Sequence, residues 1–247
     1  MPRLDQILVD RGLCESREKA KRLILAGQAL INGHPANKAS DKVSDDDAVS
    51  LKSTEKFVSR GGLKLEKALE HFNLEAEGVT AIDMGASTGG FTDCLLQRGA
   101  SKVYAVDVGR GQLAWKLRQD GRVKVMEKTN ARFLSPDSFE SDFQPVDLVV
   151  IDCSFISLRK LLPVAIALLK PSGSIAALIK PQFEAGKAEA DKGAGVIRDP
   201  EVHKRVIAEL RSFVDSISEA RWRGCTESPI HGPAGNKEFL AHIEKVC

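Results

Sequence analysis

The sequence predicts an α/β fold in which a mostly parallel sheet is preceded by a small α+β unit. From residue 79 onward, short apolar segments alternate with helical ones, and a glycine-rich turn joins the first apolar segment to a helix. The first fifty residues have a separate, shorter pattern of helices and strands. Alternating strands and helices are typical of sheets with helices on both faces. We expect a domain at residues 1–52, a linker at 53–62 and a second domain at 63–247.

Composition and the N-terminus limit the class of protein. The 247 residues include 36 Lys and Arg against 34 Asp and Glu, so any nucleic-acid binding must come from local patches. The five cysteines show neither C-x-x-C spacing nor a Cys/His cluster, which argues against a metal site and for a reducing cytoplasm. Acids interrupt the first apolar run, unlike in a signal peptide, and no run approaches the ~20 apolar residues that span a bilayer. We therefore expect a cytoplasmic protein without metal or membrane contact, of undetermined oligomeric state.

The glycine-rich turn is the strongest single pattern. Residues 79–92 read V-T-A-I-D-M-G-A-S-T-G-G-F-T, a short buried strand, a turn and the start of an amphipathic helix. The spacing differs from the G-x-G-x-x-G of dinucleotide sites, and an acid at the strand end would repel a pyrophosphate, so a nicotinamide-dependent dehydrogenase is disfavoured. A tight turn with no ligand would also need glycines. The candidate ligand-binding residues here are Asp83, Gly85, Ser87, Gly89 and Gly90.

Two further polar residues indicate what the turn binds. Asp107 ends the next predicted strand, about twenty residues on, where an acid can accept hydrogen bonds from both ribose hydroxyls. Asn130 follows the third strand, in a loop that could contact adenine. A carboxylate at Asp83 suits a ligand with ammonium and sulfonium groups. Together they predict a Rossmann-like sheet that binds an adenosyl cofactor with such groups, S-adenosyl-L-methionine.

Later strands bring more polar residues to the same edge. An almost wholly apolar strand at 145–151 ends in Asp152, and a fifth strand at 174–179 ends in Lys180. Ligands of open α/β sheets gather at the carboxyl ends of the strands. A lysine there could simply extend to solvent at the sheet rim, but Pro181 fixes the backbone behind Lys180 and favours a shaped site.

The rest of the second domain is predicted from hydrophobic periodicity. Helices are expected at 65–72, 158–169 and 201–214, a long loop at 184–199, and two closing strands at 221–225 and 238–243.

The N-terminal unit predicts two helices and a small sheet. Leu4, Ile7 and Leu8 lie at helical spacing, Ser16 is a good N-cap for a helix at 17–26, and strands follow at 28–35 and 45–51. The basic residues of the second helix are consistent either with a solvated face or with RNA binding. The motifs R-L-D-Q-I-L (3–8), S-R-E-K-A (16–20), L-I-L-A-G (23–27) and I-N-G (31–33) resemble the S4 RNA-binding domain. The candidate RNA-binding residues are Arg3, Arg17, Lys21, Arg22, Lys38 and, in the linker, Arg60.

The whole chain resembles the TlyA (haemolysin A) family, in which an S4 domain precedes an FtsJ-type ribose methyltransferase domain. The motifs that carry the resemblance are V-S-R-G-G-L-K-L (58–65), D-M-G-A-S-T-G-G-F-T (83–92), V-D-V-G-R-G-Q-L-A-W (106–115), D-C-S-F-I-S-L (152–158), K-P-Q-F-E (180–184) and G-P-A-G-N-K-E-F (232–239). The resemblance implies a catalytic tetrad, which falls on Lys64, Asp152, Lys180 and Glu238. Asp152 is also expected to lie against the cofactor.

The implied reaction is 2′-O-methylation of a ribose, with a cytidine of ribosomal RNA as the target. A ribose hydroxyl is a poor nucleophile, so Lys180 is expected to take its proton, and a second ammonium nearby, that of Lys64, would favour the neutral amine. Asp152 and Glu238 would orient the two lysines. The alternatives are a catalytically silent RNA- or ribosome-binding protein and a membrane-active haemolysin. The short ends of the chain weigh against action on the small ribosomal subunit.

Overall fold

The computed structural model describes residues 1–52, 56–186, 189, 191 and 193–246, and it divides into two compact units, residues 1–56 and 57–247. The first unit contains helices α1 (Leu4–Asp10) and α2 (Arg17–Leu25). Its three-stranded antiparallel sheet has the order β2-β1-β3, with β1 at Ala29–Ile31, β2 at His34–Pro35 and β3 at Val49–Leu51.

The first unit is held by a small apolar core between its helices and its sheet. Leu4, Leu8 and Ala20 are fully buried in that core. The Ser16 side chain accepts a hydrogen bond from the Lys19 amide at 3.3 Å, which confirms it as the N-cap of α2. Gly27 follows the helix with φ of +66°, a conformation that glycine adopts at little cost.

The second unit is built on a seven-stranded sheet, as far as the described residues show, in the order β6-β5-β4-β7-β8-β10-β9. The strands are β4 (Thr80–Met84), β5 (Lys102–Val106), β6 (Val123–Met126), β7 (Val146–Ile151), β8 (Leu169–Ile179), β9 (Ala220–Glu227) and β10 (Phe239–Lys245). Strands β4 to β8 pair in parallel, whereas β10 is antiparallel to both β8 and β9. The α/β prediction is confirmed.

Helices cover this sheet and complete two apolar cores. They are α3 (Gly61–Phe72), α4 (Gly90–Gln97), α5 (Trp115–Arg118), α6 (Leu162–Leu168), α7 (Pro181–Glu184) and α8 (Pro200–Asp215). One core contains Leu65 of α3 and Leu95 of α4, and the other contains Leu162 of α6 and Leu210 of α8. Within the described ranges, none of the helices combines the length and apolarity needed to cross a membrane.

Three details differ from the sequence-based expectations. The expected helix at 158–169 is a 3-10 turn at Leu158–Lys160 followed by α6, and β8 begins at Leu169 because this residue already pairs with Val146. An irregularity, with Ser172 at φ of +62°, separates that pair from the regular ladder. The expected loop at 184–199 lies partly outside the described residues, and its first residue, Glu184, is the last residue of the helix α7.

The third difference concerns the linker. Phe57 is only 3% exposed and packs against Gly62, where a Cβ atom would lie 2.2 Å from its ring. Gly61 and Gly62 are the first two residues of α3. The last residues of the expected linker belong to the second unit.

Candidate active site

A cavity of about 460 Å³ opens at the carboxyl ends of the parallel strands. Its wall includes five candidate residues from the sequence and one that was not predicted. The five are Gly85, Ser87, Asp107, Asn130 and Asp152, and the sixth is Ser154. Four separate segments of the chain thus meet at one place because parallel strands end at the same edge of a sheet.

Asp107 is held rigidly on this wall. One carboxylate oxygen accepts a hydrogen bond from the Ser87 amide at 2.8 Å, and the other accepts one from the Gly109 amide at 2.7 Å. A carboxylate offers about four lone-pair sites, so each oxygen can still accept from a ligand. The Ser87 bond ties the glycine-rich turn to the end of β5.

Gly85 lets the glycine-rich turn pass close to the end of β7. Its φ is +89°, and a Cβ atom there would lie 2.9 Å from the Asp152 carbonyl oxygen. A larger residue would push Asp152 out of position, so the glycine shapes the cavity wall.

Asp83 lies behind the cavity wall, which differs from the expected ligand contact. Its side chain is fully buried and accepts hydrogen bonds from the Thr92 amide at 2.9 Å and the Thr92 hydroxyl at 2.7 Å. Among the described residues its other oxygen, Oδ1, has no hydrogen-bond donor. Burial, reinforced by the nearby charges of Asp152 and Asp107, raises the Asp83 pKa to about 7.

Gly89 and Gly90 also face away from the cavity. A Cβ atom at Gly89 would lie 2.2 Å from the Leu117 side chain, and one at Gly90 would lie 2.8 Å from the Gly62 amide nitrogen. These glycines allow α5 and the start of α3 to approach α4. The two glycines are therefore needed for packing between helices. The glycine motif serves these helix contacts as well as the turn.

Lys180 and Asp152 form an ion pair on the cavity side of the sheet. The distance from Lys180 Nζ to Asp152 Oδ1 is 2.7 Å, and the Lys180 ammonium also donates to the Ser154 hydroxyl at 2.8 Å. The lysine side chain is 10% exposed, whereas that of Asp152 is 21% exposed. Lys180 follows β8 and Asp152 follows β7, so two neighbouring parallel strands supply the pair.

Lys64 and Glu238 form a second, more deeply buried ion pair. Lys64 Nζ donates to Glu238 Oε2 at 2.6 Å, and their side chains are 9% and 1% exposed. Phe239 pairs with Ile179 in the antiparallel ladder between β10 and β8. The next residues outward along the two strands are Glu238 and Lys180, so the two ion pairs stand at adjoining strand ends.

The loop after Asp152 is braced by the segment after Lys180, a feature that the sequence patterns did not predict. The Glu184 carboxylate accepts from the Ser157 hydroxyl at 2.6 Å and from the Leu158 amide at 2.7 Å. Burial raises the pKa of Glu184. The rings of Phe155 and Phe183, one from each segment, also lie 5.1 Å apart. These contacts join two motifs that could be recognised in the sequence only as separate stretches.

The candidate RNA-binding residues of the first unit lie on its surface. Arg3 and Arg17 both pair with Asp5, at 3.0 and 2.9 Å, and hold the pKa of that buried carboxyl at about 2. Exposed positions are also occupied by Lys21, Arg22 and Lys38. In the second unit, the Arg60 guanidinium donates to the His231 carbonyl oxygen at 3.1 Å.

The strand order and the acid-lined cavity at the carboxyl ends define an α/β methyltransferase domain, preceded by a small two-helix unit with its own sheet. A model of the FtsJ-like methyltransferase family matches residues 57–245, and a model of the S4 domain matches residues 2–49. The chain belongs to the FtsJ-like methyltransferase family and carries an S4 domain at its N-terminal side.

Similar proteins match nearly the whole chain. YqxC of Bacillus subtilis, provisionally named an rRNA methyltransferase, is 50% identical over 98% of this chain and 85% of its own. The "16S/23S rRNA (cytidine-2'-O)-methyltransferase TlyA" of Mycobacterium tuberculosis is 47% identical over 96% of this chain and 88% of its own. A Streptococcus thermophilus structure, provisionally described as a hemolysin, has a TM-score of 0.74 and 46% identity, covering 99% of this chain and 88% of its own.

Proposed function

We propose that this protein transfers a methyl group from S-adenosyl-L-methionine to the 2′-oxygen of a cytidine ribose in ribosomal RNA. The observation that carries the proposal is the Lys180–Asp152 ion pair, 2.7 Å long, at the wall of a cavity beside the glycine-rich turn. The reaction and substrate are those that the M. tuberculosis relative's name states. Similarity over nearly the full length of both chains supports carrying them over.

The cavity fits an adenosyl ligand with a positively charged amino-acid end. Its volume lies within the usual range of about 300–1,000 Å³ for small-molecule sites. Asp107 would bind the ribose hydroxyls and Asn130 the adenine, while Gly85 and Ser87 shape the turn around the rest. Asp152 supplies negative charge on the wall beside the ammonium and sulfonium groups, and Asp83 adds negative charge from behind the wall when it is ionised. The donor, when bound, supplies an electrophilic methyl group.

Lys180 is the proposed base. Lys180 follows β8, next to the strand that ends in Asp152, and Asp152 on the cavity wall fixes the position of its Nζ through the 2.7 Å contact. The amine takes the proton of the ribose 2′-hydroxyl as that oxygen becomes the nucleophile. Lys64 and Glu238 hold the adjoining strand end through their buried pair, and alignment of the reacting atoms supplies a large part of the rate enhancement.

The S4 unit would bind the RNA substrate through phosphate contacts. Arg3, Arg17, Lys21, Arg22 and Lys38 supply positive charge on its surface, and Arg60 adds one in the second unit. Phosphate contacts fix the position of a protein on RNA without reading its sequence. A ribosomal RNA substrate places the proposed activity in the cytoplasm.

The proposal is tested by transfer of a radiolabelled methyl group from S-adenosylmethionine to ribosomal RNA and isolated subunits. The wild-type protein should label the RNA, and Lys180→Ala should bind the donor with unchanged affinity but lose transfer. Lys170→Ala is the matched control, because Lys170 pairs with Asp147 at the other end of β8, away from the cavity. Normal turnover by Lys180→Ala would reject the role of Lys180, and a wild-type protein that binds RNA without labelling it would indicate a silent RNA-binding protein.

A further inference from the structure

Ser154 stands between Lys180 and the cavity. Its hydroxyl oxygen lies 2.8 Å from Lys180 Nζ, and the residue is exposed on the cavity wall. The Lys180 side chain itself is 10% exposed, so little of it can be reached directly from the cavity. A substrate hydroxyl that enters the cavity therefore meets Ser154 more readily than it meets the amine.

The chemistry of a serine hydroxyl suits this position. A hydroxyl has one donor and two acceptor sites, so it can accept a hydrogen bond from the substrate while it donates one to a neutral amine. The 2.8 Å separation lies within the range of about 2.6–3.2 Å over which a catalytic proton can be passed. Asp152 offers acceptor sites only when ionised, so it can hold the lysine but not donate a proton to it.

The loop that carries Ser154 is held in a defined conformation. Phe155 follows it with φ of +63°, an uncommon conformation for a residue with a side chain, and the Glu184 carboxylate fixes Ser157 and Leu158 just beyond. Asp152 precedes it and is anchored by its amide, which donates to the Met84 carbonyl oxygen at 3.0 Å. Anchors on both sides keep the Ser154 oxygen within reach of Lys180, as a relay requires.

We propose that Ser154 is a further catalytic residue, which relays the proton of the ribose 2′-hydroxyl to Lys180; this rests on the proposed function. The ribose O–H bond breaks as its proton passes to Ser154 Oγ, and the Ser154 O–H bond breaks as its proton passes to the Lys180 amine. The ribose oxygen forms its bond to the methyl carbon, and the electron pair of the carbon–sulfur bond leaves with the sulfur. Ser154 ends as a neutral hydroxyl and Lys180 as an ammonium.

Single-turnover methyl transfer tests the relay with three variants. Ser154→Ala should transfer methyl about 100-fold more slowly than the wild type, which is the lower end of what positioned proton transfer contributes. Ser154→Thr retains a hydroxyl and should recover most of the rate. Ser157→Ala is the control for loosening of the loop, because it removes another hydroxyl of the same loop that contacts Glu184 rather than Lys180. Donor affinity, measured by calorimetry, should be the same in all four proteins.

Two further measurements separate a relay from a structural role. The methyl-transfer rate is measured in mixtures of H₂O and D₂O and plotted against the deuterium fraction. The wild-type plot should be curved, because two protons move in the relay, and the Ser154→Ala plot should be linear. In donor-free protein with isotope-labelled lysines, Ser154→Ala should shift the Lys180 side-chain NMR signal, and Ser157→Ala should not.

If Ser154→Ala transferred methyl as fast as the wild type, or if Ser154→Thr were as slow as Ser154→Ala, the relay would be overturned and the proposed function would stand. Failure of the wild-type protein to methylate RNA would overturn the proposed function instead. The NMR comparison would then decide alone whether Ser154 and Lys180 are coupled.

Discussion

Lys64 Nζ donates a hydrogen bond to Glu238 Oε2 at 2.6 Å, although 174 positions separate the two residues in the chain. Both side chains are nearly inaccessible to solvent, with exposures of 9% and 1%. The pair joins α3, at the start of the second unit, to the strand end beside Lys180. It therefore links the first and last parts of the methyltransferase domain at the edge that carries the site.

Removing one partner of this pair should destabilise the protein strongly. Lys64→Met leaves the Glu238 carboxylate buried without its counter-charge, and such changes cost about 3–5 kcal/mol. Lys64→Met/Glu238→Leu should recover much of that loss, since no buried charge remains. Urea unfolding followed by circular dichroism measures both.

Lys170→Met is the control for the loss of a lysine charge, because its pair with Asp147 is more exposed and should contribute at most about 1 kcal/mol. Equal losses in Lys64→Met and Lys170→Met would contradict a buried, structurally coupled pair.

Binding of a cationic donor should depend on the ionisation of Asp83. Its pKa of about 7 lies well above that of an ordinary aspartate, so the group is largely protonated below neutral pH and charged above it. A positive ligand favours the charged form, so the affinity for S-adenosylmethionine should rise with pH through about 7. Calorimetry in buffers of different ionisation enthalpy should detect proton release on binding.

Asp83→Asn should remove both the proton release and the pH dependence. Methylthioadenosine, which lacks the ammonium and the sulfonium, should bind without proton release and without this pH dependence.

The free energy of unfolding should depend on pH in the opposite direction. A raised carboxyl pKa makes the folded state lose stability as the pH rises from about 4 to about 7. Ligand-free wild-type protein should therefore lose stability relative to Asp83→Asn over that range, and parallel curves would contradict the raised pKa.

The Glu184 brace should matter for turnover more than for donor binding. Glu184→Ala removes the acceptor for the Ser157 hydroxyl and the Leu158 amide, and it should lower methyl transfer about tenfold by loosening the loop that carries Ser154. Because the pKa of Glu184 is raised, this carboxylate gains its proton at a higher pH than an ordinary glutamate does. The wild-type rate should therefore begin to fall at that higher pH as the solution is acidified. In Glu184→Gln the part of that fall that Glu184 causes should be absent. An unchanged acid limb in Glu184→Gln would show that the brace does not limit the rate.

The exposed cations of α2 should contribute to RNA affinity through phosphates. Lys21→Ala/Arg22→Ala should weaken binding of ribosomal RNA fragments of any sequence. The plot of log affinity against log salt has a negative slope, and each lost contact should make it shallower by about 0.7–0.9. Lys19→Ala is the control, because Lys19 is paired with Glu15 at 2.8 Å. Equal salt slopes in the double variant and the wild type would exclude this surface from RNA binding.

The sequence predicts the sheet and the cavity well because both follow from periodicity. Asp107, Asp152 and Lys180 were expected at strand ends simply because an apolar run stops there, and the structure brings Asp107 and Asp152 to one cavity wall with Lys180 paired to the latter. Lys64 and Glu238 carry no such local signal. Only the family resemblance singled them out, and their roles stay a prediction.

Side-chain packing explains what the sequence patterns missed. Asp83 is expected at the ligand, but its hydrogen bond from the Thr92 amide holds it behind the cavity wall. Gly89 and Gly90 allow close contacts with Leu117 and with α3, which no rule about residue spacing reveals. The Glu184 brace depends on how two loops meet in three dimensions. The N-cap position of Ser16 shows the opposite case, since a cap is decided by its nearest neighbours in sequence.

The most direct measurement of the central claim is the chemical position of the transferred methyl group. A 2′-O-methyl group protects the adjoining phosphodiester from alkali, because the attacking hydroxyl is gone. Ribosomal RNA labelled by the wild-type protein should therefore release its label as an alkali-resistant dinucleotide beginning with cytidine, and Lys180→Ala should yield none. Label that appears on mononucleotides after alkaline hydrolysis would place the methyl group on a base and contradict ribose methylation.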